Sequence, residues 1–247
     1  MRWIFYGALT IAIAVVAAFA MMPVEFVMHA AQKRDPLILY SSAEGTVWRG
    51  EVRGIRYGAQ AVGDARISTR ALALLTGSLT SEFELSGNAV TGRGVMSLTP
   101  GGRLSLKDVR MAGTTRELIS IQSEIRELNG EFRLDIVDAV IRDRECMKAE
   151  GRIWTNLLTR MESRWQWRGP ELEGPISCQK GDVVLSLAGQ NAAGEEVEGR
   201  LEVGLDATGR FQANVSNSQP ETAQALILLG FLSEGRDRFV YQHAIPG

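Results

Sequence analysis

Short runs of alternating apolar and charged residues, separated by glycines, constrain the fold of this chain more than any other feature. The clearest run is E-V-E-G-R-L-E-V-G-L-D at 196–206, where Val197, Leu201, Val203 and Leu205 share one parity and the charged residues share the other. A period of two predicts a β-strand with one dry face and one wet face. Register is strongly fixed here, because a slip by one residue would bury five charges.

Similar runs recur along the chain, and turn residues separate them. The breaks fall at Gly77, Gly87, Gly92-Arg93-Gly94 and Gly101-Gly102. Because these breaks are too close together for helical crossovers, they predict hairpins and an elongated, mostly antiparallel β-sheet. The motif G-T-V-W-R-G at 45–50 predicts a strand entered through a turn. The other alternating sets are Ile67, Thr69 and Ala71, Phe83 and Leu85, Met96 and Leu98, Leu104 and Leu106, and Phe132, Leu134 and Ile136.

The alternation loosens between Thr114 and Leu128, where T-T-R-E-L-I-S-I-Q-S-E-I-R-E-L fits two structures. A strand with Ile119 and Ile121 inward is favoured, and a short amphipathic helix is the alternative. The pattern becomes regular again after Gly130. If the β region has two halves, they are therefore expected at 45–129 and 130–247.

Only the end of the chain carries a clear helix signal. Ser218 is placed to cap a helix, Glu221 follows three residues later, and Pro220 falls in the first turn. The apolar positions of this helix are Ala223, Leu226, Ile227 and Phe231. We expect the helix to cover an open end or face of the sheet, and binding in the groove of a partner is the alternative.

The first part of the chain carries a membrane signal. The run from Trp3 to Val24, about 22 residues, has no charge, and at about 1.5 Å per residue a helix of that length crosses the hydrocarbon layer. Arg2 precedes the run and places the amino terminus in the cytoplasm, although Lys33 and Arg34 flank the other end. We therefore expect residues 1–28 to be a retained transmembrane anchor.

A cleavable signal peptide is the alternative, since Ala18-Phe19-Ala20 fits the small-residue pattern of a cleavage site. The apolar run is longer than a usual signal sequence and continues past Ala20, which favours retention. Either interpretation exports the rest of the chain, which places it in the periplasm if the cell is Gram-negative. That part is expected to comprise a charged neck at 29–44 and a β-rich domain at 45–247.

The composition and the motif content each argue against a class of function. A net charge of -2 and a pI of about 5.8 lack the basic excess of a nucleic-acid-binding protein. Nucleotide-binding, nucleophile-elbow and zinc-protease motifs do not occur, and His29 and His243 are isolated. We therefore expect no catalytic residues, no metal and no cofactor. A glycan-modifying enzyme is the weakest alternative, because it needs two converging carboxylates in a cleft.

Cys146 and Cys178 are the only cysteines of the chain. An even number of cysteines in an exported chain favours a disulfide over free thiols. Closing a loop of about 33 residues stabilises a fold by about 3 to 4 kcal/mol in the chain-entropy model. Zinc is poorly supported, because two cysteines without a histidine cluster do not make a site.

Aromatic residues are the remaining candidates for binding contacts. Trp48 lies in G-T-V-W-R-G, and the W-Q-W motif places Trp165 and Trp167 on one side of an expected strand, with Trp154 nearby. Packing in the core is the favoured interpretation for these side chains. Contact with a partner or an apolar groove is the alternative for Trp48, Trp165, Trp167 and Phe231.

Several motifs, in this order, resemble one protein family. They are G-T-V-W-R-G at 45–50, C-M-K-A-E-G-R-I from Cys146, L-E-G-P-I-S-C at 172–178, D-A-T-G-R-F at 206–211 and A-L-I-L-L-G-F-L at 225–232. With the N-terminal apolar segment they resemble the general secretion pathway protein N family, the N component of the type II secretion system. The resemblance departs at the end, where G-R-D-R-F-V-Y replaces a compact Gly-Tyr turn.

The resemblance implies a non-enzymatic inner-membrane protein whose periplasmic β domain serves the machine that moves folded proteins across the outer membrane. Its expected partners are other secretion subunits of the inner and outer membrane. A long antiparallel sheet behind one anchor also resembles the AsmA-like proteins, which implies lipid as the alternative ligand. In the first case the dry face should close as a core, and in the second it should stay open to acyl chains.

Overall fold

The computed structural model describes residues 21–70, 78–118, 126–162, 167–206 and 208–245. These residues form one 15-stranded antiparallel sheet and two short helices, which confirms the mainly β fold. Helix α1 spans Val24–Arg34, and helix α2 spans Pro220–Leu228. The first strands are β1 (Ile38–Leu39), β2 (Ser42–Thr46), β3 (Arg49–Tyr57), β4 (Gln60–Thr69), β5 (Leu79–Ser86), β6 (Val90–Leu98) and β7 (Leu104–Thr114). The others are β8 (Glu131–Arg142), β9 (Glu145–Thr155), β10 (Leu172–Gln179), β11 (Asp182–Gln190), β12 (Glu196–Val203), β13 (Gly209–Ser216), β14 (Leu232–Ser233) and β15 (Phe239–Ile245).

The strands lie in the sheet almost in the order of the chain. β1 and β2 both pair with β3, each strand from β3 to β12 pairs with the next one in the chain, and β15 pairs with β13 and β14. This order follows from short connections, which join antiparallel neighbours. The predicted turns at Gly87 and Gly101-Gly102 are confirmed, and Gly77 lies outside the described residues. The two edges of the sheet are the β1–β2 segment and the β14–β15 hairpin.

One face of the sheet is apolar because the alternation of each strand is in register with its neighbours. In the first half of β12 the predicted parity is confirmed, since Val197 is buried while Glu196 and Glu198 are exposed, but Leu205 lies in the turn after the strand and not within it. Val197 lies opposite Val215 of β13, which in turn lies opposite Phe239 of β15. Apolar side chains therefore line up across the strands and form a continuous dry face.

The predicted turn at Gly92-Arg93-Gly94 is wrong, because both glycines lie inside β6. A Cβ atom on Gly94 would approach Cγ2 of Val109 to 2.6 Å, and one on Gly92 would approach Cγ of Met111 to 2.9 Å. Side chains of β7 occupy the space above these positions. The glycines therefore allow close packing within a strand and do not end it.

The segment after β7 is not a strand at its beginning, so the favoured interpretation is wrong there. A 3₁₀-helix spans Thr115–Glu117, and Thr115 is buried. The Gly130 N–H donates to Oγ1 of Thr115 at 2.9 Å, and the Thr115 N–H donates to the Gly130 carbonyl at 2.8 Å. These bonds hold the turn against the start of β8. Ile119 and Ile121 lie outside the described residues.

Helix α2 confirms the predicted C-terminal helix, but its start and its inward face differ from the prediction. The N-cap residue is Gln219, and the Ser218 hydroxyl donates to the Gln219 carbonyl and caps nothing. Leu226 is fully buried, whereas Ile227, predicted inward, is 57% exposed. Successive helical residues are about 100° apart, so a helix that turns Leu226 into the core turns Ile227 away from it. Phe231 lies beyond the helix.

The largest group of buried apolar side chains lies between α2 and the C-terminal strands. Helix α2 therefore covers one end of the dry face, as predicted. The buried members are Leu128, Met161, Trp167, Leu172, Val197, Val215, Ala225, Leu226 and Phe239.

The expected membrane anchor falls mostly on residues 1–20, which lie outside the described residues. Across the ranges that the structure describes, no helix has the length and apolar character needed to cross a bilayer. Val24, at the start of α1, packs against Gly50 of β3, while Phe26 and Val27 are exposed. The expected boundaries of the anchor, the neck and the β-rich domain stay predictions.

Candidate functional site

The predicted disulfide is present and joins two neighbouring strands. Cys146 at the start of β9 and Cys178 near the end of β10 are bonded, with a Cα–Cα distance of 5.5 Å. The Cys146 N–H also donates to the Gly181 carbonyl at 2.7 Å, in the turn that follows β10. The bond lies at the opposite end of these strands from the cavity described next, so its role is to fix the scaffold.

An apolar cavity of about 720 Å³ lies on the dry face beside helix α2. This size is within the range of small-molecule binding sites. Strands β10 to β13 and β15 form its floor, and residues at and after the end of α2 form part of its wall. The lining residues are Leu128, Thr155, Leu157, Leu158, Met161, Trp167, Leu172, Leu187, Val197, Gly199, Phe211, Ala213, Val215, Leu228, Leu229, Phe231 and Tyr241.

Aromatic rings form the side of the cavity nearest the sheet edge. The Tyr241 ring lies 5.2 Å from the Phe231 ring and 6.1 Å from the Phe211 ring, measured between centroids. The His243 ring stacks on Tyr241 at 6.3 Å. Ring pairs at such distances make favourable contacts. This wall therefore joins β13, β15 and the segment that follows α2.

A buried carboxylate holds the elements around the cavity together. Glu195 is 1% exposed. Its Oε2 accepts hydrogen bonds from the indole Nε1 of Trp167 and from Nδ2 of Asn191, both at 2.7 Å. Its Oε1 accepts the Gln219 N–H at 2.8 Å, and the Thr222 hydroxyl donates to the same carboxylate. Glu195 thus caps α2 from the sheet, where a negative charge is favoured by the helix dipole.

The same contacts keep Glu195 ionised. Burial is the largest single influence and raises the pKa of its carboxyl group, because desolvation penalises the charged form. The four hydrogen bonds together outweigh burial and leave the pKa of Glu195 below its ordinary value. A buried charge is expensive unless it is well paired, so these four donors stabilise Glu195 beneath α2.

The structure brings two of the four aromatic candidates together and places the others elsewhere. Trp167 and Phe231 both line the cavity. Trp48 is half-buried in the turn between β2 and β3, far from them in the strand order. Trp165 lies outside the described residues. The expected strand at W-Q-W is wrong for Trp167, which lies in an irregular segment before β10, where Gly169-Pro170 disfavours strand pairing.

Sequence reasoning missed Glu195, although the parity of β12 contained the signal. Glu195 lies two residues before Val197 and therefore shares the dry parity, whereas Glu196 shares the wet one. A lone charge on a dry parity indicates a buried residue with hydrogen-bond partners. Tyr241 was missed for a different reason, because its role depends on the partner strand β13.

The arrangement offers packing and no converging reactive groups. The cavity lining is apolar apart from the Thr155 and Tyr241 hydroxyls and the Trp167 indole, whose N–H is already bonded to Glu195. In the part of the chain that the structure describes, no group of three or more His, Cys, Asp or Glu side chains is placed to hold a metal ion. Such a site suits an apolar side chain or an acyl chain.

The fold and the site together define a class, a mainly β protein with one long antiparallel sheet and an apolar binding cavity beside a covering helix. The family model described as "Type II secretion system (T2SS), protein N" matches residues 36–240. The chain therefore belongs to the type II secretion system protein N family. No curated protein and no solved structure matches the chain.

Proposed function

We propose that this protein is a non-enzymatic accessory component of the type II secretion machinery that assists export of folded proteins across the outer membrane. The observation that carries this proposal is the family match over residues 36–240, which runs from β1 into β15. The sheet supports it, because sheet edges and apolar surfaces are the features through which structural subunits contact each other. The partners are other secretion subunits of the inner and outer membrane.

We propose further that the N-terminal segment anchors the protein in the inner membrane and that the sheet lies in the periplasm. The uncharged run from Trp3 to Val24 supports the anchor. Phe26 and Leu37 are exposed apolar side chains close to it, as expected beside a membrane surface. The disulfide supports the compartment, because disulfides persist where the environment is oxidising.

Deletion of the gene tests the proposed function directly. The protein content of the culture medium and of the periplasm is compared between the parent strain, the deletion strain and the deletion strain carrying the gene on a plasmid. Secreted proteins are expected to fall in the medium, to accumulate in the periplasm and to recover with the plasmid. A plasmid with an early stop codon is the matched control. Normal secretion in the deletion strain would contradict the proposal.

Lipid binding is the second candidate function, and the cavity is the observation that favours it. Its volume of about 720 Å³ and its apolar lining suit an acyl chain as well as a side chain. Measuring the lipid composition of the outer membrane in the same strains separates the two candidates. Altered lipid composition together with an unchanged secreted protein profile would favour lipid handling over secretion.

A further inference from the structure

The last strand of the sheet has an open side next to the cavity. β15 spans Phe239–Ile245 and pairs along its length with β13, but β14 covers only Phe239 and Val240 on its other side. Among the described residues no strand pairs with the outer side of β15 beyond Val240. The segment from Tyr241 to Ile245 is therefore available for pairing with another strand.

The backbone geometry identifies which groups are unpaired. The Glu234 N–H donates to the Arg238 carbonyl at 2.9 Å, so the backbone of Arg238 faces β14. Both backbone groups of a residue in an antiparallel strand point the same way, and the direction alternates along the strand. Val240 therefore also faces β14, and Gln242 and Ala244 direct their N–H and C=O groups to the open side.

Within β15 this edge carries no lysine, acidic residue or proline, which are residues that usually prevent strands from adding to a sheet. The sequence of β15 is F-V-Y-Q-H-A-I. The opposite edge is different, because it is interrupted between β1 and β2 and Pro23 bridges to Thr46 beside α1. The unprotected strand is thus confined to the end of the sheet that carries the cavity.

The cavity offers a place for a side chain of a strand added at this edge. Tyr241 faces the dry side of the sheet and lines the cavity, and cross-strand neighbours in a sheet share a face. Leu228 also lines the cavity and is 79% exposed. Its side chain gives the cavity an apolar rim that an incoming chain would cover.

We propose that β15 is a docking edge for an extended segment of a partner polypeptide, which pairs with Gln242 and Ala244 and places one large apolar side chain in the cavity. The open backbone groups favour a polypeptide over a lipid, because an acyl chain has no donors or acceptors for them. The hydrogen bonds supply alignment, and the anchored side chain supplies most of the affinity. This inference rests on the proposed function only for the expectation that the partner belongs to the secretion machinery.

The test uses the full chain in cells with a benzophenone amino acid in place of Gln242. Illumination is expected to give an adduct with one other polypeptide, and mass spectrometry should place the crosslink in an extended, uncharged segment with a large apolar residue. A synthetic peptide of that segment should bind the purified full chain. Adducts with lipid alone, adducts only with a second copy of this chain, or no adduct would overturn the proposal.

Two variants separate docking from folding. Ala244→Pro removes one outward N–H and is expected to reduce the adduct about tenfold, while the matched Ala244→Val keeps the N–H and the adduct. Gly199→Leu is expected to reduce the adduct by filling the cavity. Its Cβ would meet only Leu187 at 3.6 Å and Phe211 at 3.8 Å, so the fold should be retained. Thermal midpoints close to that of the native chain would confirm folding, and an unchanged adduct in both variants would contradict the inference.

Secretion by the same strains distinguishes the two proposals. If deletion blocks secretion while Ala244→Pro secretes normally, the docking edge is wrong and the secretion role stands. If deletion leaves secretion unchanged while the adduct depends on Ala244 as described, the secretion role is wrong and the docking edge stands.

Discussion

Strands β1–β7 and strands β8–β15 belong to one sheet, but they bury their apolar face differently. In the C-terminal region, residues 131–245, helix α2 covers one end of the face, and Leu226 and Val215 are almost completely buried. In the N-terminal region, residues 38–114, Val52 and Val109 are buried, but the larger side chains of Phe83, Leu85 and Met111 remain partly exposed. The same alternation therefore gives a core covered by a helix at one end and a partly open face at the other.

The two regions also differ in what links their strands. The C-terminal region has a disulfide and the buried Glu195 hydrogen bonds. The N-terminal region has ion pairs between exposed side chains, such as Arg66 with Glu51 and Arg70 with Glu82. Exposed ion pairs contribute little stability, whereas covalent links and buried contacts contribute much. We therefore expect the C-terminal region to be the stable part that carries the docking edge.

Removing the disulfide is expected to have the largest effect. Replacing Cys146 and Cys178 by alanine should lower the free energy of unfolding by about 3 to 4 kcal/mol, because the unfolded chain regains a long loop. Urea unfolding of the full chain, followed by tryptophan fluorescence, measures the change. Reduction of the native protein by a thiol is the matched control, and a loss below about 1 kcal/mol in both would refute the expected role of the bond.

A matched pair of leucine substitutions compares the two regions directly. Leu226→Ala should cost about 3 kcal/mol, because it leaves a void in a closed core. Leu85→Ala should cost about 1 kcal/mol, because the side chain is only partly buried and water can fill its place. Both values come from urea unfolding. Equal costs would show that the two regions are equally closed.

Glu195→Gln is expected to cost about 2 kcal/mol, because an amide cannot accept all the hydrogen bonds that the carboxylate accepts. The native chain should also lose stability with acid. Since the folded-state pKa is lowered, the contribution of Glu195 is present above the ordinary glutamate pKa of about 4.3 and is lost as the pH falls through the lower folded value.

The variant should lose less stability than the native chain over this pH range. Thermal midpoints measured from pH 6 down to about pH 3 test the difference. Parallel pH profiles for the two proteins would exclude a stabilising charge on Glu195.

The smallest effect is expected for a charge in the N-terminal region. Glu84 lies between Arg66 and Arg93 on the wet face, with one arginine opposite it on each neighbouring strand. Glu84→Gln should cost a few tenths of a kcal/mol and the cost should vanish in about 1 M salt, because exposed charges are screened. A salt-independent loss of more than about 1 kcal/mol in the free energy of unfolding would show that these charges contribute more to stability than exposed ion pairs do.

The sequence predicts the parts of the fold that depend on local periodicity. The parity of β12, the disulfide pair and the C-terminal helix are each visible in residues that are close in the chain or few in number. The errors occur where a distant side chain decides the local structure. Gly94 lies within a strand because Val109 of β7 fills the space above it, and α2 is capped from the sheet by Glu195 and not by Ser218.

The candidate site was less predictable, because it is made by the order of the strands. Trp167 and Phe231 were candidates for groove contacts, and both line the cavity. The sequence gives no sign that Tyr241 completes the wall between them, since β15 reaches its position by skipping β14 and pairing with β13. Aromatic residues can be recognised in the sequence as candidates for binding contacts. Which of them come together is decided by the order of the strands in the sheet.

Hydrogen exchange of the full chain in detergent, read by mass spectrometry, tests the central contrast most directly. Peptides from β12, β13 and α2 are expected to exchange at least about 100-fold more slowly than peptides from β4 to β6, because closed and covalently linked regions open rarely. In the reduced protein, the difference in exchange rate between the two regions should be smaller. Uniform protection across the sheet, or faster exchange in the C-terminal region, would contradict the account.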